Sequence, residues 1–439
     1  MIIKSKAICY FNEILNLISY FLMLLFIWRK NILRNEISHF DSILILCIIA
    51  FLYYYICNSY KVFSLKFLTM SKIIISQILS SILLGFIIVV LSPLIFYKFD
   101  IFYSISCFTI QTLCALTLLF LCKKLLSKIN TLEKVLIIYS YNNKRELDNF
   151  INGIDSAFQI KKVINVSELS NNCFEMFNNF EIIFLINIHS HQRNQIIKYC
   201  AKNKIIVYVL PQIGDLIMSG AQKINIFHLP ILKLDRYNSD PLFLCAKRIF
   251  DLLFSCFFLI ITSPLFFILS ILIKISDGGP IFYKQKRLTK NAKVFELIKF
   301  RSMTVDAESD GIARLSPGHN DQRVTKIGKF IRRFRMDELP QFLNILKGDM
   351  SVVGPRPERP EIAKKYSQFL PEFNLRLQVK AGLTGCAQVY GKYNTDPYNK
   401  LKLDLMYISH PTLLEDIKII ILTIRILFSS ESTDGVNEK

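Results

Sequence analysis

The sequence predicts a membrane protein in three parts. Four N-terminal transmembrane helices occupy about residues 1–130, and a small α/β domain of degenerate Rossmann type follows over 131–240. A further membrane helix (about 252–273) then joins an α+β domain over 241–430, with 431–439 a disordered tail. Three observations carry this prediction. Hydrophobic residues make up 52% of the 439 and mean hydropathy is +0.36, with the apolar residues concentrated near the N-terminus. Short apolar runs next alternate with polar helical stretches, the pattern of strands and helices in turn. Finally, one 22-residue apolar run leads into a polar region rich in turn and arginine motifs.

The four apolar segments are Ile14–Trp28, Ser42–Cys57, Ile73–Tyr97 and Ile101–Cys122, the first two short for a ~20-residue span. Eight lysines lie before the first, between the second and third, and after the fourth, against four basic residues in the other two loops, which favours both ends of the bundle being cytoplasmic. The net charge of +20 on so apolar a chain points to anionic membrane lipid and phosphorylated substrates, and no nucleic acid is inferred. The eleven cysteines show no CxxC and no metal-ligand spacing, so no disulfide framework is read from them. No signal-peptide pattern is present.

In the middle domain, 134–139, 181–186 and 205–210 read as buried strands. The turn after the first, Tyr139-Ser140-Tyr141-Asn142-Asn143, has no glycine, whereas a dinucleotide fingerprint needs glycines for backbone to approach a pyrophosphate. The domain is therefore read as a spacer or assembly module, which admits a homo-oligomer. His189 and His191, two residues apart without a third ligand, read as surface residues.

The run Leu252–Ile273 holds Ser263-Pro264 at its middle. Proline deletes a backbone bond and bends a helix, and a neighbouring hydroxyl can satisfy the freed carbonyl, so spanning and re-entrant paths both stay open on the residues alone. Beyond it, Ile281-Phe282-Tyr283 reads as a short strand, Gln285-Lys286-Arg287 as a basic tip, and Phe295–Met303 as a second strand ending in positive charge. A polar loop to about His319 leads to a basic helix with Ile327, Phe330, Ile331 and Phe334 on its apolar side. The tail Leu413–Phe428, interrupted by Asp416, Lys418 and Arg425, reads as a packed or interfacial helix rather than a span.

Chemistry is concentrated at Arg332-Arg333-Phe334-Arg335-Met336-Asp337-Glu338 and at Gly354-Pro355-Arg356-Pro357. Adjacent carboxylates on a helix point about 100° apart, which rules out paired-acid work on one bond and suits divided labour. Asp337 can attack phosphorus if the phosphate charge is neutralised, and Mg²⁺ bridging a diphosphate together with Arg332, Arg335 and Arg356 would supply that. A solvated charged helix ending in a turn is the bland reading of the same residues.

From about Ala246 to Phe428 the chain resembles the bacterial sugar transferase family, the polyprenyl-phosphate sugar-1-phosphate transferases or monotopic phosphoglycosyl transferases. The matching pieces are Lys247-Arg248-Ile249-Phe250-Asp251, Ser263-Pro264, Gly279–Gln285, Lys299–Met303, Asp337-Glu338-Leu339-Pro340-Gln341, Gly354-Pro355-Arg356-Pro357-Glu358 and Gly382–Val389, in order over roughly 180 residues. The whole chain looks like the long form of that family. The resemblance implies that Asp337 attacks the sugar-bearing phosphate of a UDP-sugar, that UMP leaves, and that undecaprenyl phosphate takes the phosphosugar from the aspartate. It implies that Glu338 positions Mg²⁺ and that Arg356, Arg332, Arg335, Arg301, Lys299 and Gln388 bind substrate or its phosphates. It also implies a re-entrant helix kinked at Ser263 and Pro264, and a cytoplasmic catalytic domain on the bacterial inner membrane. Cys386 departs from the bulkier residue often found at its position. Which sugar is carried is not legible; 392–398 and Tyr407 are where its contacts are expected. A membrane-bound nucleotide-sugar dehydratase would need a glycine-rich loop and a Tyr-x-x-x-Lys pair that are not found, and a decayed export scaffold fits poorly with an intact Asp337-Glu338 and Arg356.

Overall fold

The computed structural model describes residues 2–33, 39–65, 69–129, 134–140, 147–148, 150–151, 158–169, 173–226, 229–234, 240–304, 323–391 and 395–427. Its contacts form two compact units, Met1–Pro211 and Gln212–Lys439.

The first unit opens with α1 (Ile2–Lys30), α2 (His39–Ser59), α3 (Met70–Ile95) and α4 (Ile101–Ile129). Each contains a stretch of 20 to 26 residues long and apolar enough to cross a membrane, consistent with a membrane protein. Helix α1 outruns its expected apolar run on the N-terminal side, where Asn12, a polar residue just before that run, faces inward. Asn12 and Asn16 are fully buried on α1, and Asn16 Nδ2 donates to Asn12 Oδ1 at 3.0 Å. The middle of the bundle is polar as well. Tyr20 of α1 stacks on Tyr53 of α2 with ring centroids 3.9 Å apart, and Gln77 of α3 and Gln111 of α4 each donate to the Tyr53 hydroxyl at 3.2 Å. One phenol group thereby ties all four helices together.

The rest of this unit is a four-stranded parallel sheet of β1 (Lys134–Tyr139), β2 (Gln159–Asn165), β3 (Ile182–Ile186) and β4 (Ile206–Val209), in the order β2-β1-β3-β4. The order reverses between β1 and β3, as in doubly wound folds. The three strands read from the sequence recur with ends shifted by at most a residue. Strand β2 escaped because Lys161 and Lys162 break its apolar run, which an edge strand tolerates. Helix α5 (Ser190–Lys202) begins just after His189, contains His191, and packs through Ile196 and Cys200. Beyond Ser140, the glycine-free turn lies outside the described residues.

The second unit begins earlier than the boundary expected near residue 240. Helix α6 (Ile213–Ser219) and the hairpin β5 (Gln222–Ile226) and β6 (Leu229–Lys233) fall within it. The reason is local packing: Leu216 joins the C-terminal core and its carbonyl accepts the Ser409 hydroxyl at 2.7 Å.

Helix α7 (Pro241–Asp277) is a single element of 37 residues. Asp240 caps it, with proline at the first position, and Gly278 ends it at φ +73°, where a left-handed backbone favours glycine. Pro264 has no N–H for the Ile260 carbonyl, and the Ser263 hydroxyl donates to that oxygen at 2.8 Å instead. Both halves of α7 lie against the same domain. Before Pro264, Phe258 stacks on Phe342 at 5.7 Å; after it, Phe266 meets Phe300 at 5.0 Å, and Leu269 and Ile273 pack with Ile331. The opposite face exposes Leu253, Ile260, Phe267 and Ile275.

The domain itself starts with an antiparallel hairpin, β7 (Phe282–Leu288) and β8 (Val294–Phe300), in which Tyr283 pairs with Lys299. The Gln285-Lys286-Arg287 stretch, expected at the tip, lies inside β7. Its polar side chains hid a strand that alternates between faces. Helix α8 (Lys326–Arg333), a 3₁₀ turn (Met336–Glu338) and α9 (Gln341–Lys347) lead to β9 (Met350–Val353). Helix α10 (Pro360–Phe369), a 3₁₀ segment (Pro371–Gln378), β10 (Ala381–Thr384), α11 (Cys386–Tyr390), α12 (Pro397–Ser409) and α13 (Leu413–Leu427) complete it. Strands β9 and β10 pair in parallel, and Ile345, Met350, Val352, Phe373 and Leu405 fill the core around them. Helix α13 is packed as expected: Asp416 and Ile419 are fully buried, and Lys247 of α7 pairs with Asp416 at 2.6 Å. The polar loop 305–322 and the tail from 428 lie outside the described residues.

Replacing Tyr53 by Phe removes the acceptor that the buried Gln77 and Gln111 amides share, leaving Gln77 only the Ser81 hydroxyl at 3.4 Å. Bundle stability should fall by about 1–2 kcal/mol in detergent unfolding titrations. Adding Gln77→Leu and Gln111→Leu to Tyr53→Phe should recover most of that loss.

Candidate active site

The site is built where three chain segments meet. Strand β8 ends in Lys299 and Phe300; α8 ends at Arg333 and the chain reverses at Arg335 into the 3₁₀ turn; β9 ends at Val353 and delivers Gly354-Pro355-Arg356-Pro357. Arg335 holds a left-handed backbone, φ 52° and ψ 25°, a conformation that costs a non-glycine residue about 1–2 kcal/mol. That reversal takes Asp337 and Glu338 off the basic helix. They were expected on a helix and stand instead on a short 3₁₀ turn.

Glu338 is the centre of the charges. Its carboxylate lies 3.5 Å from Lys299 Nζ, 3.3 Å from Arg356 Nη2 and 3.9 Å from Arg335 Nη1. Burial alone would raise its pKa, but the three cations, Lys299 foremost, prevail and hold it at about 2. Asp337 differs. No ion pair within 4.0 Å engages it among the described residues, and burial raises its pKa, opposed by Lys299, Arg332 and Arg335 and reinforced by Glu338. Burial pulls Lys299 down from the ordinary lysine range, while Glu338 and Asp337 act against that shift. Glu338 raises Arg356, whose side chain remains 42% exposed and so can meet an incoming anion.

The other predicted residues divide. Arg332 Nε donates to the Ser302 hydroxyl at 3.0 Å, which joins α8 to the end of the β8 segment and sets Arg332 near Asp337. Arg301 is buried beside them, its backbone N–H donating to the Ile281 carbonyl at 2.9 Å. Gln388 is not drawn into the cluster by any hydrogen bond among the described residues; its amide donates to the Leu383 carbonyl at 3.1 Å, and its Oε1 is buried with no partner among them. Tyr407, where a sugar contact was expected, is 3% exposed with its hydroxyl donating to Asp416 at 2.7 Å, so it braces the core. Residues 392–394 of the other expected contact region are outside the described residues.

Sequence reasoning gave Ser302 and Arg287 no role at the site. Arg287 is half-buried in β7 and brought down to about 10, mainly by desolvation and by the nearby Arg356 guanidinium. The signal for it was available: residues 283, 285 and 287 share one strand face with Lys299 opposite the first.

The glycine motifs have a steric cause. A Cβ on Gly354 would run into the Lys380 carbonyl oxygen, one on Gly382 into the Gly354 nitrogen, and one on Gly385 into the Gly354 oxygen. Strands β9 and β10 thus meet backbone to backbone just where Arg356 is delivered.

For a metal, the described residues offer no group of three His, Cys, Asp or Glu side chains. Asp337 and Glu338 are the donors at hand. Such a pair fits Mg²⁺, which is bound through one or two carboxylates with substrate phosphates and water completing its shell, and does not fit a cation that needs a full protein cage.

Residues 243–430 match the family model described as bacterial sugar transferase. The uncharacterized sugar transferase EpsL of Bacillus subtilis (strain 168) is 38% identical over 191 residues, 44% of this chain and 91% of that protein. The chain belongs to the bacterial sugar transferase family. It is also 36% identical over 233 residues to a UDP-N-acetylgalactosamine-undecaprenyl-phosphate N-acetylgalactosaminephosphotransferase of Aeromonas hydrophila, covering 52% of this chain and 54% of that one. A UDP-glucose:undecaprenyl-phosphate glucose-1-phosphate transferase of Klebsiella pneumoniae is 36% identical over 215 residues, 48% of this chain and 45% of its own. The chain thus spans about half the length of these last two relatives. All the site residues described above lie inside the matched region of the bacterial sugar transferase family.

Two glycines of the same unit distinguish close backbone approach from open space. Gly382→Ala should cost 3 kcal/mol or more, about the upper range for overpacking, as read by thermal unfolding. Gly214→Ala, on α6 with nothing within 4 Å of the added carbon, should be neutral or stabilising by about 0.5–1 kcal/mol.

Proposed function

We propose that the chain transfers a sugar-1-phosphate from a UDP-sugar to undecaprenyl phosphate, releasing UMP and giving undecaprenyl-diphosphate-sugar, as a first membrane step of capsule, exopolysaccharide or O-antigen synthesis. The observation that carries this reading is the split between two adjacent carboxylates: Glu338 is bound by three cations, and Asp337 beside it has no ion pair among the described residues. A nucleophile must keep a free oxygen, and Asp337 has one. The names of the Aeromonas and Klebsiella relatives support the substrate class.

In this reading an Asp337 carboxylate oxygen attacks the sugar-bearing phosphorus. A P–O bond forms, the bond to the bridging oxygen breaks, and UMP departs with that electron pair. An oxygen of undecaprenyl phosphate then attacks the same phosphorus and displaces the aspartate, which is again free. Arg356 and Lys299 take up the charge of the phosphate oxygens, and Lys299, with Arg332 and Arg335, keeps Asp337 ionised against its desolvation. Mg²⁺ held by Glu338 would neutralise the diphosphate when bound, leaving Asp337 to attack.

The setting is the cytoplasmic face of the bacterial inner membrane, with α1 to α4 spanning and α7 re-entrant. Support for the re-entrant path comes from the packing: Phe258 and Leu269, on either side of Pro264, touch one and the same domain, as a helix that stays with that domain on one side of the membrane would. The basic helix α8 exposes Phe330, and Phe334 just beyond its end, beside its lysines and arginines, a fit to anionic lipid. The α/β domain would serve as a spacer or as an assembly module for copies of the chain.

Two experiments test this. Purified enzyme with undecaprenyl phosphate and a panel of UDP-sugars should release UMP from at least one sugar, and Asp337→Asn should abolish that release. Because Asp337 must be ionised, kcat/KM should fall as pH drops through its raised pKa. Lys299→Met removes the cation that lowers that pKa most and should move the acid limb to higher pH; an unmoved limb would count against Asp337 as nucleophile. For the membrane path, single cysteines at Leu242 and Ile275 in a cysteine-free background should both react with an impermeant maleimide from the same side. Reaction from opposite sides would show a span.

A further inference from the structure

The turn that carries Arg356 is short of backbone donors, and backbone bonds fix its flanks, from Gly382 N–H to the Pro355 carbonyl at 2.9 Å and from Leu288 N–H to the Glu358 carbonyl at 3.0 Å. In Pro355-Arg356-Pro357 two of the three residues have no backbone N–H, so the turn has to be fixed largely through its carbonyl oxygens. Two arginines do this from behind. Arg376 Nη2 donates to the Arg356 carbonyl at 2.9 Å, and Arg287 Nη1 donates to the Pro357 carbonyl, the next one along, at 3.0 Å.

Each guanidinium is itself held in place. Gln285 Oε1 accepts from Arg287 Nε at 3.1 Å and Nη2 at 2.6 Å, and Gln285 Nε2 donates to the Tyr283 hydroxyl at 3.2 Å. Arg376 lies over the Phe373 ring at 5.0 Å and pairs with Asp404 of α12 at 2.8 Å, with side chains only 4% and 2% exposed. Glu358 stands between the two arginines, 3.9 Å from Arg287 and 3.7 Å from Arg376. A buried charge pair of this kind gives little net stability but is costly to break from one side. Its position behind Arg356 therefore suggests a role in placement.

We propose that Arg287, Arg376 and Asp404 form a positioning clamp that sets where the Arg356 guanidinium stands relative to Glu338 and to a substrate phosphate. Asp404 supplies the counter-charge that keeps Arg376 in the clamp. The inference rests on the phosphosugar-transfer reading for its effect on rate and on geometry alone for its effect on the turn.

The clamp should be sensitive to acid. Asp404 faces Arg376 from the 3₁₀ segment, Glu358 from the turn, the Cys386 thiol from α11, and Lys400 on its own helix; desolvation, countered by Arg376, pushes its carboxyl up to about 6. Above that pH Asp404 is ionised and Arg376 is paired. As pH falls through it the carboxyl takes up a proton, Arg376 keeps only Glu358, and the turn loosens.

The test uses the full chain in nanodiscs with Asp404→Asn and Arg376→Lys. By hydrogen exchange, the peptide covering Gly354–Glu358 should exchange faster in both variants at pH 7.5, and faster in wild type at pH 5.5 than at 7.5, once both are corrected for the intrinsic rate at each pH. Unchanged exchange in that peptide would overturn the clamp whether or not the protein is active. With the UDP-sugar that wild type uses, kcat for UMP release should fall roughly 10- to 100-fold in Asp404→Asn, as expected for a misplaced catalytic group, with KM for the UDP-sugar changed less than about threefold. The part of the wild-type acid limb near pH 6 should be missing in that variant. An activity loss with an unaltered pH profile and a lowered unfolding temperature would mean a merely structural pair and would also overturn it. Wild type releasing no UMP from any UDP-sugar would sink the transfer reading instead, and the exchange result would still decide the clamp.

Discussion

Glu338 is a carboxylate that three cations hold in place, and the site depends on it. Lys299 comes from one strand, Arg335 from the reversal before the 3₁₀ turn and Arg356 from the turn after β9. Without that single negative charge, three like charges would face one another in a partly desolvated cleft. With it, segments spread over more than 50 residues of chain are drawn to one point. The left-handed backbone at Arg335 fits the same picture. Its conformational cost of about 1–2 kcal/mol is tolerable where the resulting reversal places both a guanidinium and the carboxylate it meets.

The same arrangement separates two chemically similar neighbours. Asp337 and Glu338 share a turn, yet the pKa of one is raised and that of the other lowered. The cause is direction: Glu338 points into the cations, while Asp337 is desolvated with cations at longer range. Environments that push two carboxyls apart assign them different work. On the proposed reading the pair is a fixed anion beside the attacking one, which argues against a general acid–base couple on a single bond.

Much of this was legible in the sequence because its parts are local. Asp337-Glu338, Arg356 and Lys299–Met303 are short motifs that can be read residue by residue, and Gly354 and Gly382–Gly385 belong to motifs of the same kind. What was not legible depends on partners distant in sequence. Arg376 and Asp404 are 28 residues apart on different elements, and Arg287 reaches Pro357 across 70. A faint sign of the first pair was present: Leu401, Asp404, Leu405 and Ile408 follow helical spacing on one buried face, and an acid on an apolar stripe needs a counter-charge. The start of α1 was missed for a related reason. Hydropathy scores Asn12 as a break, although in a bundle with a polar interior it belongs to the inside. Strand β7 was cut short because its polar residues conceal alternation, and the expected tip at 285–287 became the strand face that Arg287 shares with Gln285.

A transferase that joins a soluble donor to a membrane lipid has to set its nucleophile at a defined height above the bilayer, and two neighbouring residues of β8 link the relevant parts. Successive side chains of a strand point to opposite faces. Lys299 points to Glu338, and Phe300, 1% exposed, is packed against Phe266 of α7 at 5.0 Å and grouped with Leu269, Ile273 and Ile331. A shift of α7 past its neighbours would therefore press on Phe300, and through the strand on the lysine that tunes both carboxylates. On the proposed reading, the depth at which α7 sits in the membrane and the placement of the catalytic turn are one mechanical variable, because a single peptide bond separates the residue that meets the membrane helix from the residue that meets the site.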